Sequence, residues 1–160
     1  MNRLTDAAEI ATLGDPENLE KLQSLLTSDE SAVRYWGVTG LLILGDEAAP
    51  AKEALLGMLS DASENVVTVA AEALYNMGEK EPAKEALLRV LEAPNEFARC
   101  HALNTIDCIE EESPEIKTGV VNMVKNAEDL NRRSYDLRAA KWLIEKWGLN
   151  PENHGIDFGW

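Results

Sequence analysis

The sequence predicts an all-α protein, a right-handed α-α superhelix of about four helix pairs. The first observation is a repeat, because the stretch SDASENVVTVAAEALYNMG at residues 60–78 recurs at residues 28–45 and again at residues 93–110. The corresponding positions are Val33, Val66 and Ala98; Gly37, Ala70 and Ala102; Leu41, Leu74 and Ile106; Leu44, Met77 and Ile109. A nearly constant interval of about 33 residues separates them, and a fixed period in this range is typical of a solenoid built from stacked repeats.

The second observation is the spacing of the prolines. Pro16, Pro50, Pro82 and Pro114 follow one another at almost the same interval as the repeated stretches. Proline is favoured at the first position of a helix, because the backbone N–H that it lacks would have no partner there. We therefore expect each of these prolines to begin the first helix of a repeat, with Asp15 as the N-cap of the first one.

The repeat boundaries follow in chain order. A partial repeat at residues 1–14 supplies a lone second helix at residues 5–13, with Ile10 and Leu13 on one face. Since a solenoid usually begins with a complete or capped repeat, we expect the chain to be a piece of a longer protein. Complete repeats are predicted at 15–45, 46–78, 79–112 and 113–148, and a capping tail at 149–160, all within a single domain. The tail aromatics Phe158 and Trp160 are expected to fold back over the last repeat.

The helices of each pair have different compositions. The first helices carry apolar residues at spacings of three and four, which places them on one stripe. The second helices mix large aliphatic residues with small ones, and small residues allow neighbouring helices to approach closely. The small residues are Gly37, Gly40, Ala70, Ala73 and Ala102. The predicted inner core consists of Val33, Leu41, Leu44, Val66, Leu74, Met77, Ile106 and Ile109.

Composition limits the classes of partner. The chain has 160 residues, with 29 acidic against 15 basic side chains and a net charge of −14. Such a charge repels phosphate backbones and argues against nucleic-acid binding. No apolar run approaches the roughly 18–20 residues of a membrane span. We therefore expect a protein partner, with no nucleic acid, no membrane and no cofactor.

The repeats resemble short HEAT repeats, of the phycobilisome-lyase type within the wider HEAT and armadillo class. The residues that carry the resemblance are Asp29, Val33 and Arg34 of a D-x-x-x-V-R pattern, and Ala70, Ala73 and Leu74 of an A-x-x-A-L pattern; Arg99 matches Arg34. This resemblance implies a solenoid and leaves the function open, because the fold serves many roles.

One stretch is similar to the HEAT-like C-terminal region of many bacterial sulfatases, namely SAVRYWGVTGLLILGDEA at residues 31–48. The resemblance implies a non-catalytic accessory domain, an interdomain or protein–protein scaffold attached to a catalytic domain, and a periplasmic or secreted parent. The chain itself contains no Cys-x-Pro-x-Arg or Ser-x-Pro-x-Arg nucleophile sequence. The alternative is a stand-alone enzyme accessory of the phycobilin-lyase-like group, which the scarcity of convergent polar groups disfavours.

Candidate catalytic and metal-binding residues are few. His101 lies next to Cys100, but adjacent helical residues point about 100° apart and do not form a Cys–His pair. Cys100 and Cys108 lie about 12 Å apart along a helix, too far for a disulfide. His154 in the tail lacks further ligands. We therefore predict no catalytic residue and no metal site, and we expect Arg34 and Arg99 to bond the turns between helices.

The second helices carry a row that is unusually apolar for a solvated face. Its members are predicted to line the concave side of the solenoid. Two explanations remain open: either tight curvature of the solenoid buries the row, or a partner protein docks there. The binding candidates are Tyr35, Thr39, Leu42, Thr68, Glu72, Tyr75, Asn104 and Asp107, and Val38, Ala71, Cys100 and Leu103 lie in the same row.

Overall fold

A computed structural model describes residues 3–127, 130 and 134–159. These residues form α-helices and three short 3-10 segments, without a β-strand in the described ranges. The helices are Arg3–Thr12 (α1), Leu19–Leu25 (α2), Ser31–Leu44 (α3), Lys52–Met58 (α4), Glu64–Asn76 (α5), Lys80–Leu91 (α6), Glu96–Cys108 (α7), Pro114–Lys125 (α8) and Tyr135–Lys146 (α9). The all-α fold class is confirmed, because the helices pack in neighbouring pairs as they do in a HEAT-like α solenoid.

The helices belong to two compact units, one ending at Ala86 and the other beginning at Leu87. In the first unit, α3 packs against α1, α2 and α5, and α4 packs against α5. In the second unit, α9 packs against α7 and α8. Six of the eight predicted core residues are buried: Val33, Leu41, Leu44, Val66, Leu74 and Ile106. Met77 and Ile109 are only half-buried, because each is the C-cap residue at the end of its helix.

Helix α1 buries a different face from the predicted one. Ala7 and Ala11 are its buried residues, while Ile10 is half-buried and Leu13 is 64% exposed. The helix ends at Thr12, and Gly14 then adopts a positive φ of 61° that turns the chain away. The prediction for Leu13 was wrong because this residue lies beyond the end of the helix, where the helical period no longer applies.

The prolines begin helices at two of the four predicted positions. Pro114 is the first residue of α8, and Pro16 begins a 3-10 turn whose N-cap, Asp15, accepts a hydrogen bond from the N–H of Glu17 at 3.0 Å. Pro50 instead lies inside the 3-10 segment Gly45–Ala51, and Pro82 is the third residue of α6. Pro82 is tolerated because the N–H groups of the first helical turn have no intrahelical partner.

The tail packs back onto its own unit. Ile156 and Phe158 are buried, and the ammonium group of Lys141 in α9 lies 5.4 Å from the centre of the Phe158 ring. The prediction that Phe158 covers the last repeat is therefore confirmed. Trp160, for which the same prediction was made, lies outside the described residues.

Arginine side chains join successive repeats. The guanidinium of Arg34 binds both carboxylate oxygens of Asp61, at 2.6 and 2.8 Å, and also donates to the carbonyl oxygen of Ser28 at 2.8 Å. Arg99 forms a similar ion pair with Asp136, in which two guanidinium nitrogens contact the single oxygen Oδ2 at 2.6 and 2.7 Å, and it donates to the carbonyl oxygen of Ala93 at 2.6 Å. We call these two arrangements the arginine clamps. They confirm that Arg34 and Arg99 bond the turns between helices.

The Arg34 clamp predicts a pH-dependent contribution to stability. Burial raises the pKa of the Asp61 carboxyl, but the hydrogen bonds from Arg34 and Ser63, together with the Arg34 charge, outweigh burial and hold this pKa below its usual value. A carboxyl group whose pKa is lowered by folding stabilises the folded state. This contribution is complete at pH values above the ordinary Asp pKa near 4, and it is lost as the pH falls through the lowered pKa. We expect Asp61→Asn to lower the free energy of unfolding at pH 7 by about 1–2 kcal/mol.

Urea unfolding at several pH values would measure this difference. The difference between wild type and Asp61→Asn should shrink as the solution becomes more acidic than about pH 4. The control is Glu30→Gln, since Glu30 meets Arg3 at 4.0 Å with side chains 57% and 72% exposed, and such a pair contributes little. A constant difference across this pH range would contradict the interpretation.

Gly40 in α3 lies where α1 and α2 both approach closely. A Cβ atom at this position would overlap Leu22 Cδ2 of α2 and lie 3.0 Å from the Cα atom of Ala11 in α1. Backbone cannot move aside as a flexible side chain can. We therefore expect Gly40→Ala to destabilise the protein by about 1–3 kcal/mol through overpacking.

The matched control is Gly57→Ala. Gly57 also lies in a helix, α4, but a Cβ atom there would meet no other atom within 4 Å. This substitution should therefore stabilise the protein by up to about 1 kcal/mol, because alanine favours the helix. Thermal unfolding of both variants would compare them, and equal effects would show that close packing at Gly40 is unimportant.

Candidate functional site

The predicted row begins on α3 with side chains that are partly covered by their neighbours. Tyr35, Thr39 and Leu42 are half-buried. The ring of Tyr35 meets that of Trp36 edge-on, with the ring centres 5.8 Å apart, and the Thr39 hydroxyl donates to the carbonyl oxygen of Tyr35 at 2.8 Å. Val38, between them, is fully buried. Packing within the unit therefore accounts for part of the apolar character of this row.

The side chains of the row on α5 are more deeply buried than those on α3. Thr68 is fully buried, and its hydroxyl donates to the carbonyl oxygen of Glu64 at 2.8 Å. Thr68 therefore offers no surface to a partner, since its phase on the helix directs it into the core. Glu72 and Tyr75 are half-buried, and the ammonium group of Lys80 lies 5.0 Å from the centre of the Tyr75 ring.

The row on α7 is more open, and α9 lies beside it. At one end the rings of Phe97 and Tyr135 have centres 5.9 Å apart, and at the other end Lys146 Nζ lies 2.6 Å from Asp107 Oδ1. Both contacts join corresponding ends of the two helices, so α7 and α9 run parallel. Asn104 is exposed and Asp107 half-buried, and both face the space between the helices.

This space is a groove of about 550 Å³, which we call the α7–α9 groove. Leu103 and Leu143 are its buried residues, and Tyr135, Arg138 and Trp142 of α9 line it opposite α7. The lining residues of α9 run from Tyr135 to Leu143, eight steps of about 1.5 Å, so the groove is about 12 Å long. It can accept a short segment of polypeptide along its length.

The groove concentrates exposed aromatic side chains. Tyr135 is 55% exposed and Trp142 61%, and Phe97, whose ring meets Tyr135 at the end of the groove, is 61% exposed. The only other large hydrophobic side chains that are exposed in the described part of the chain are Leu13 and Ile43 of the first unit. Scattered exposed hydrophobics are ordinary, but a cluster of large ones marks an interaction surface.

The ionisable groups near the groove are unsuited to covalent chemistry. Burial raises the pKa of the Cys100 thiol, which therefore stays protonated and is a poor nucleophile. Burial lowers the pKa of His101, which keeps that imidazole neutral. The hydrogen bond to Asp107 raises the pKa of Lys146 against the effect of desolvation, so this ion pair persists at neutral pH. Within the described ranges, no three His, Cys, Asp or Glu side chains converge as a metal site.

Sequence reasoning missed the α9 side of the groove. The predicted row was not continued past Asp107, although Trp142 stands out in the final repeat. The contacts between the α7 and α9 regions join residues 37 to 39 positions apart, as in Arg99 with Asp136 and Asp107 with Lys146. The longer connection before α9 breaks the period of the earlier repeats, so the repeat alone would have placed the wrong residues opposite α7.

Comparison with known proteins agrees with the repeat architecture. Residues 2–74, from α1 into α5, match the model of the HEAT repeats family. This match supports a HEAT-like repeat protein, and HEAT repeats generally mediate protein interactions. A search of curated proteins found no match to the chain. Among the described helices, none combines the length and apolar character that crossing a membrane requires.

Proposed function

We propose that this chain is a non-catalytic module that binds another protein through the α7–α9 groove. The observation that supports this function is a set of three aromatic side chains that are each more than half exposed: Tyr135 and Trp142 line the groove, and Phe97 contacts Tyr135 at its end. Leaving three large aromatic side chains in water forgoes the free energy that their burial would supply. A partner protein that covers these side chains gains the free energy of their burial.

The side chains of the groove are the types that dominate protein interfaces. Trp, Tyr and Arg are enriched among the residues that contribute most to binding, and α9 presents one of each in Trp142, Tyr135 and Arg138. The buried Leu103 and Leu143 give the groove a dry floor. Such a floor excludes water from contacts made above it, which strengthens them.

The groove is also held in place before any partner binds. Arg99 of α7 binds Asp136 of α9, and Asp136 is buried directly beside Tyr135. Ser134 Oγ lies 2.8 Å from a carboxylate oxygen of Glu96 and 2.7 Å from one of Asp136, and its single proton is shared between them. A preorganised surface loses less conformational entropy on binding than a mobile one, and therefore binds more tightly for the same contacts.

The test is selection of binding peptides from a phage library of random short sequences, with the full chain as target. We expect Trp142→Ala to weaken the selected peptides by about tenfold or more, because it removes a central aromatic contact. Leu13→Ala is the matched control, since Leu13 is 64% exposed in the first unit and does not line the groove.

Both substitutions change exposed side chains and should alter the melting temperature very little. Thermal unfolding would therefore separate a loss of binding from a loss of folding. If no peptide is selected, or if the selected peptides bind Trp142→Ala as tightly as the unaltered chain, then the groove is not the binding surface.

A finer proposal concerns the context of the module. The resemblance of residues 31–48 to the C-terminal region of bacterial sulfatases supports a role as an accessory domain that packs on a sulfatase-type catalytic domain. The gene around this segment tests it. We expect the reading frame to continue upstream into a region that encodes Cys-x-Pro-x-Arg or Ser-x-Pro-x-Arg, and a ribosome-binding site directly before the codon of Met1 would overturn this finer proposal.

A further inference from the structure

We propose that the α7–α9 groove recognises a short segment of a partner protein that carries one carboxylate beside one large apolar side chain. The carboxylate pairs with Arg138, and the apolar side chain packs on Trp142. This inference rests on the proposed function of the groove and names the chemistry of its partner. Arg138 carries the one charge in the groove that no described residue neutralises.

The guanidinium of Arg138 is exposed and lines the groove, and within the described residues it makes no ion pair, hydrogen bond or ring contact. Arg34 and Arg99 are bound in the clamps, and the more exposed Arg3 still meets Glu30. The chain carries 29 acidic side chains for 15 basic ones, so carboxylates are abundant. An arginine without a carboxylate in such a chain is available to a carboxylate from elsewhere.

The other charged residue that lines the groove is already paired. Asp107 meets Lys146 at 2.6 Å, whereas Glu96, which lies near Ser134 Oγ, is not among the lining residues. Lys141, on the tail side of α9, lies near Glu145 and over the ring of Phe158. Among the described residues, the charge that remains in the groove is therefore that of Arg138. Arginine is well suited to carboxylates, because its planar fork can donate two parallel hydrogen bonds.

The positions on α9 determine the spacing of the segment. Tyr135, Arg138 and Trp142 are three and four residues apart, which places all three on one face of the helix. Arg138 and Trp142 are separated by about 6 Å along the helix axis, at about 1.5 Å per residue. Two residues of an extended chain span about 6.6 Å. We therefore expect the acidic residue and the apolar residue of the segment to be two positions apart.

The net charge of the chain favours a single carboxylate over an acidic run. A net charge of −14 repels further negative charge. This repulsion is screened over about 8 Å at physiological ionic strength. One carboxylate held by Arg138 gains a direct contact, whereas each additional carboxylate adds repulsion without a second free arginine in the described part of the groove. The expected segment is therefore apolar with one acidic side chain.

The experiment uses peptides selected on the full chain from the phage library of random short sequences. We expect them to share a single Asp or Glu two positions from an aromatic or large aliphatic residue. The dissociation constant of one such synthetic peptide would be measured by fluorescence polarisation. Arg138→Gln should weaken binding about tenfold or more, because it removes a charge-assisted hydrogen bond.

Lys125→Gln is the matched control, because Lys125 is also exposed and without a described partner but does not line the groove. It should leave the affinity unchanged. Arg138→Glu should abolish binding of the acidic peptide and restore binding of the same peptide with its acidic residue replaced by lysine. A merely structural role of Arg138 would not produce this exchange.

The outcomes separate the two proposals. If Trp142→Ala abolishes binding while Arg138→Gln does not change it, and the selected peptides carry no shared acidic residue, then the groove binds protein but the acidic segment is overturned. If the peptides bind both variants as tightly as the unaltered chain, then the groove itself is not the binding surface. If Trp142→Ala and Arg138→Gln both lose affinity, and Arg138→Glu binds the peptide in which lysine replaces the acidic residue, then the proposal of an acidic segment is supported.

Discussion

The arginine clamp is the contact on which the arrangement of the repeats within each compact unit depends. In the first unit Arg34 of α3 reaches the carboxylate of Asp61 just before α5, with side chains only 14% and 5% exposed. Apolar packing between helices is non-directional and tolerates sliding, whereas two parallel hydrogen bonds fix one relative position. The same guanidinium satisfies the carbonyl oxygen of Ser28, which the turn leaves without a helical partner. A single side chain thus fixes the register of two helices and completes the turn between them.

The second clamp has a direct consequence for the groove. Arg99 lies between Phe97 and Cys100 on α7, and Asp136 lies next to Tyr135 at the beginning of α9. Binding Asp136 to Arg99 places Tyr135 beside Phe97, and the helices then run parallel until Lys146 reaches Asp107. The buried ion pair and the exposed aromatic pair therefore belong to the same contact between the beginning of α7 and the beginning of α9. Burial of an ion pair is a weak source of stability, so its value here lies in positioning the surface.

The sequence predicted the helices better than it predicted the surface. The repeat period located α3, α5 and α7 together with most of their core, because each of these helices buries an apolar face at the same positions of the repeat. It failed where the helical period no longer applies. Leu13 lies past the last turn of α1, and Pro82 lies in the first turn of α6, where no backbone N–H is needed.

The surface was harder to predict because helical phase does not report how closely a neighbour packs. Thr68 and Tyr75 lie in the same predicted row of α5, yet Thr68 is fully buried and Tyr75 is half-buried. The groove itself required knowledge of which residues of α9 face α7, and the clamp between Arg99 and Asp136, rather than the period, determines that pairing.

The aromatic side chains of the chain differ in what covers them, and this difference distinguishes the groove from the rest of the surface. Lysine ammonium groups lie over the rings of Tyr75, Trp147 and Phe158, at 5.0, 5.8 and 5.4 Å from the ring centres. Each of these rings gains a cation–π contact within the chain. Across the described residues, no lysine or arginine covers Phe97, Tyr135 or Trp142 in this way. The chain supplies such a cover for those other large rings and leaves Phe97, Tyr135 and Trp142 without one, and this difference supports the proposal that another protein binds at the groove.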